Sequence, residues 1–110
     1  MNNQHINIKY QDMDRRDEHN ENRGEFSNSY IETIVKEIQA EAPSGAILEA
    51  VITHYNNFYK GVIHIQSSVG PFFGVVAANT VEDVGQKLLV QMKNRLSKWK
   101  ANHFYQDKPA

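Results

Sequence analysis

Apolar and polar positions change period several times along this chain, and each change marks an element. Ile6, Ile8 and Tyr10 alternate with polar neighbours, which predicts a short strand over residues 5–10. Residues 11–28, QDMDRRDEHNENRGEFSN, are polar, contain glycine and are nearly free of aliphatic side chains. Such a stretch buries too little to offset the entropy of ordering it, so a mobile loop is expected there. Ile31, Ile34, Val35, Ile38 and Ala42 then recur at helical spacing and predict a helix over residues 29–42. Ser29 with Glu32 reads as a capping box at its start, and Pro43-Ser44-Gly45 stops it.

Three strand-like runs follow, over residues 46–55, 59–66 and 72–78. Asn56-Asn57 separates the first two, and asparagine tolerates the positive φ of a tight hairpin. Parity tests the register. Leu48, Ala50 and Ile52 are even-numbered, whereas Tyr59, Ile63 and Ile65 are odd-numbered. They share a face only across a loop of even length, and a two-residue Asn56-Asn57 loop sets Glu49 opposite His64. Residues 67–71 read as a second turn. The third run is apolar on both parities. If Phe72, Gly74 and Val76 face the helices, then Phe73, Val75 and Ala77 face outward.

The last helix starts near Thr80, a good N-cap, with Glu82 and Asp83 placed favourably in its first turn. Val81, Val84, Leu88, Met92, Leu96 and Trp99 form its apolar stripe, and Gly85 is a weak point within it. Residues 104–110 are expected to fray. The order is β-α-β-β-β-α, an α+β two-layer sandwich with a four-stranded sheet and two helices on one face.

Charge sharpens this picture. Residues 11–41 hold nine acids against four bases, while residues 84–106 hold five bases and no acid. The two regions either face different partners or attract each other. The net charge of −1 excludes a bulk polycation, so any nucleic-acid role must come from such local asymmetry. The 110 residues predict a single domain. Cysteine is absent, which excludes disulfides and a cysteine nucleophile. The polar start MNNQHINIKY lacks a signal peptide's core, and no apolar run nears the ~20 residues of a membrane span. A cytoplasmic location with no membrane partner is expected.

Residues 60–103, KGVIHIQSSVGPFFGVVAANTVEDVGQKLLVQMKNRLSKWKANH, carry a resemblance. An "IHI" strand leads through a glycine turn to an alanine-containing strand. A helix with a leucine stripe follows and ends in Lys98-x-Lys100. With the order of elements, this resembles the ribosome hibernation-promoting factors, also called ribosome-associated inhibitor or sigma-54 modulation proteins. The resemblance implies a fold similar to double-stranded-RNA-binding domains. It implies an RNA-binding protein that occupies the small ribosomal subunit and inhibits translation in resting or stressed cells. Phosphate contacts would then fall to Lys87, Arg95, Lys98 and Lys100, with Lys60 and Lys93 in support. The chain departs from the family where Gln91 and Asn94 replace basic residues, where the first helix is net acidic, and where the loop over 11–28 is longer.

Those departures fit a second reading, a protein-interaction or self-associating module on the same fold. Its partner surface would be the open sheet face, where Phe73, Val75 and Val62, joined by Val51, form an apolar patch suited to a homodimer. Nothing reads as an enzyme, and no cofactor is expected. The five histidines show no metal-ligand spacing on one element. Glu49 with His64 reads as an exposed cross-strand ion pair. Ser67-Ser68-Val69-Gly70 reads as a plain turn. Asp12, Asp14, Asp17 and Glu18 lack the glycine and final glutamate of a calcium loop. Trp99 belongs to the core stripe, and Tyr55, Phe58 and Tyr59 at the hairpin tip are the better candidates for stacking on bases.

Overall fold

The computed structural model describes residues 5–13 and 29–107. The elements are β1 (Ile6–Asp12), α1 (Ser29–Glu41), β2 (Ile47–His54), β3 (Tyr59–Ser67), β4 (Gly70–Ala78) and α2 (Val81–Asp107). They form one four-stranded sheet in the order β1-β2-β3-β4. β1 runs parallel to β2, and the remaining pairs are antiparallel. The parallel pair requires a crossover, which α1 provides.

Even positions of β2 and β4 and odd positions of β3 point toward the helices. The core accordingly joins Leu48, Ala50, Ile52, Ile63 and Ile65 to Ile31, Ile34, Val35 and Ile38 of α1 and to Val84, Leu88, Met92 and Leu96 of α2. The predicted α+β two-layer architecture is the observed one, and Glu49 does lie opposite His64.

Several boundaries differ from expectation, each for a local reason. Gln11 and Asp12 continue β1 rather than opening a loop, because pairing with β2 supplies them with partners. The Thr53 hydroxyl donates to Gln11 Oε1 at 3.4 Å, and Asp12 meets His54 Nδ1 at 3.3 Å. Residues 14–28 of the expected loop lie outside the described residues. Ser29 is the first helical residue of α1 rather than the cap before it, and its carbonyl accepts the Thr33 hydroxyl at 3.0 Å. The Asn56-Asn57 turn closes through Tyr55 N–H to Phe58 C=O at 2.8 Å, yet neither asparagine has a positive φ.

β4 begins at Gly70, so the second turn shrinks to Ser68-Val69. Pro71 is tolerated inside the strand because β4 is an edge, where a missing N–H costs no ladder bond. Thr80 caps α2 as expected, its hydroxyl accepting Asp83 N–H at 3.1 Å. The helix then runs to Asp107, so residues 104–107 of the expected frayed tail have helical backbone. No proline interrupts the sequence between Val81 and Pro109. Residues 108–110 lie outside the described residues. Gly85 has a packing reason: a Cβ there would sit 2.9 Å from the Tyr30 ring of α1. The glycine lets the two helices cross closely.

Candidate nucleic-acid interface

The five cations of α2 do not form one surface. Two of them turn toward α1. Lys93 Nζ lies 3.5 Å from Glu37 and Lys100 Nζ 2.7 Å from Glu41. Glu37 and Glu41 of the acidic region therefore attract α2 directly. The hydrogen bond and charge of Lys100 hold the Glu41 carboxyl below its ordinary value. A depressed folded value means that the pair contributes above the unfolded carboxylate pKa and is lost as pH falls through the folded one. The stability difference between the wild type and Lys100→Met, from urea unfolding, is therefore expected to be larger at neutral pH than at about pH 3.

A third cation, Lys87, donates from Nζ to the carbonyl of Ala77 at 3.1 Å. One helical turn on, Gln91 Oε1 accepts the N–H of Val75 at 2.9 Å. Ala77 and Val75 belong to the open edge of the sheet. The two side chains satisfy backbone groups that would otherwise be free to pair with another strand. Gln91 is thus neutral for a structural reason, since a lysine has no acceptor to offer an N–H. Gln91→Lys is expected to cost about 0.5–1 kcal/mol in urea unfolding, and to add about one unit to the salt slope of any RNA binding.

Arg95 and Lys98 remain. Both are exposed, and neither has a hydrogen bond or ion pair among the described residues. With Pro71, Phe72 and Phe73 they line an open cleft of about 370 Å³ at the start of the β4 edge. Trp99 meets Phe72 edge-on at 6.0 Å and so stands behind this cleft. On the other side of the Gln91 bridge is a groove of about 490 Å³ lined by Val76, Gln86, Lys87, Val90 and Gln91. Sequence reasoning missed this groove. Val90, 66% exposed, was its one visible sign, an aliphatic residue on the polar side of an amphipathic helix.

Lys60 stands apart from the helical cations. Register places it on the outer sheet face, between Thr53 and Ala77. On that face Val51, Val62 and Val75 form a row across three strands, with Phe73 and Val75 the most exposed at 52% and 54%. The expected apolar patch exists, and it grades into Lys9 and Asn7 on β1. His64 does not pair with Glu49. Its ring stacks on Phe73 at 4.5 Å and 2°, the more apolar of its two neighbours.

At the hairpin tip Tyr55 stacks on Phe58 at 4.8 Å, and Tyr59 on His54 at 4.5 Å, so these rings already cover one another. The Ser67 hydroxyl is used within its own turn, donating to Gly70 C=O and accepting from Val69 N–H. Asp12, the first carboxylate of the loose calcium-like run, faces His54. Asp14, Asp17 and Glu18 lie outside the described residues.

Among solved structures, a ribosomal subunit interface protein from Coxiella burnetii matches with a TM-score of 0.64 and 13% identity, covering 89% of this chain and 99% of that one. The N-terminal domain of Thermus thermophilus Protein Y matches with a TM-score of 0.60 and 10% identity, covering 84% and 98%. The chain shares their fold. The resemblance read over residues 60–103 pointed to this architecture, and the structure carries it across nearly the whole chain. No family model matches the sequence, and no curated protein matches it. None of the helices among the described residues is long and apolar enough to cross a membrane.

Proposed function

We propose that this protein binds RNA of the small ribosomal subunit and inhibits translation by occupancy, without turnover, in resting or stressed cells. One observation carries the reading. On a fold shared with a ribosomal subunit interface protein, Arg95 and Lys98 stand side by side at the β4 edge with their charges uncompensated among the described residues. Phosphate is the partner that two adjacent free cations fit best. Lys93 and Lys100 contribute less than the sequence suggests, because an internal carboxylate already holds each. Lys87 serves the sheet edge, and Lys60 offers a separate charge from the outer face.

Sedimentation of ribosomes from resting cells, followed across a salt series, tests this. Co-migration with small subunits at low salt that fades as salt rises is the expected result. Absence from ribosomes even at the lowest salt would sink the reading.

A further inference from the structure

We infer that the cleft at the start of β4 is a subsite for one unpaired nucleobase and its adjoining phosphate, with the base on the open face of Phe73 and the phosphate between Arg95 and Lys98. This rests on the proposed RNA binding and specifies where a single-stranded nucleotide is held.

Four observations converge there. Phe73 is an aromatic ring 52% exposed on a sheet edge, where an apolar side chain gains nothing from solvent. One face of the ring is taken by His64, stacked within 2° of parallel, which fixes its orientation. A base on the other face would extend that stack, and base–aromatic stacking accepts any base. Arg95 and Lys98 line the same cleft and have no partner among the described residues.

The backbone supplies the fourth. Val75 N–H and Ala77 C=O reach outward to Gln91 and Lys87, so the odd residues of β4 turn their polar groups away from β3. Phe73 is the odd residue with no such side chain over it. Pro71, the next one, has no N–H to offer. The N–H and C=O of Phe73 therefore open onto the cleft beside its ring, a donor and an acceptor for the edge of a stacked base. A duplex cannot use this arrangement, because its bases are already stacked and paired.

The protein carries its own reporter. Trp99 is the sole tryptophan and lies against Phe72, a wall of the cleft. Titrating the full chain with a short oligoadenylate single strand, and separately with an RNA duplex, should change Trp99 emission saturably with the single strand. Phe73→Leu should weaken the single strand about tenfold and leave duplex affinity unchanged, while Phe73→Tyr retains binding. Arg95→Gln with Lys98→Gln should weaken both. Phe73 is exposed, so thermal melts of its variants should match the wild type.

Single-strand affinity unchanged in Phe73→Leu would overturn the subsite and leave RNA binding standing. If neither RNA binds, the functional reading fails and takes the subsite with it. Binding of a polyglutamate peptide that depends on Arg95 and Lys98, where neither RNA binds, would make the cleft a peptide site. Self-association by light scattering that Phe73→Leu abolishes, with RNA affinity unchanged, would assign Phe73 to a second copy. Either result overturns the subsite.

Discussion

Arg95→Glu combined with Lys98→Glu is expected to remove the protein from the small-subunit fraction, whereas Lys93→Gln combined with Lys100→Gln is expected to leave most of it bound. Sequence spacing treats all of these cations alike, but their environments differ. A lysine held by Glu37 or Glu41 must give up that carboxylate before it can serve a phosphate, so its net gain on binding is small. Arg95 and Lys98 have nothing to give up among the described residues.

The salt series discriminates quantitatively. Two phosphate contacts predict an affinity loss of about tenfold between about 50 and 200 mM salt, and six predict a loss of over about a thousandfold. A tenfold loss supports the two-cation grip. A thousandfold loss would mean that the internal ion pairs open on binding and that all six candidates take part.

Gly61→Val is expected to destabilise the fold by about 3 kcal/mol, measured as a fall in the urea midpoint. β3 passes so close to α2 that a Cβ at residue 61 would lie 2.6 Å from Val84 Cγ1 and 2.9 Å from Leu88 Cδ1. The nearer neighbour, Val84, is β-branched and stiff, and both are fully buried among packed side chains, so relief requires the helix to move. A loss of that size is a large fraction of the 5–15 kcal/mol typical of a domain. Val84→Ala in the same chain is expected to recover part of it, because removing those methyl groups opens the space the new side chain needs. Losses that simply add would show that the clash lies elsewhere. Because α2 also carries Arg95 and Lys98, a shift of the helix should weaken ribosome binding in Gly61→Val as well.

The fold was largely legible because period and parity are local. Alternation at Ile6, Ile8 and Tyr10, helical spacing at Leu88, Met92 and Leu96, and the parity switch across Asn56-Asn57 each follow from backbone geometry within a few residues. The boundaries that shifted depend on distant partners. Gln11 and Asp12 look like loop residues until Thr53 and His54 are placed beside them. Ser29 looks like a cap when the residues around it are read in sequence alone.

The candidate site was legible only as an inventory. The chain names its cations, and helical spacing puts Lys87, Gln91, Asn94 and Lys98 on one flank, of which Lys87, Gln91 and Lys98 are found against β4. It cannot say which charges are spent internally. A Glu37–Lys93 or Glu41–Lys100 pair spans more than fifty residues, and nothing in the intervening sequence encodes it. Gln91 shows the same divide. As a letter it is a missing positive charge, and in place it is the acceptor that closes the N–H of Val75 on the sheet edge.

The sequence by itself determined the order of elements, the buried stripe of α2, the hairpin register and the outward apolar row of Val75, Val62 and Val51. These follow from side-chain periodicity against a backbone with fixed repeats. Only the tertiary structure decided that α1 neutralises part of α2, that β4 is an edge covered by Lys87 and Gln91, and that Arg95 and Lys98 stand beside Phe73 with no partner among the described residues. Charge compensation and edge protection depend on which surfaces meet, and that is set by packing rather than by position along the chain.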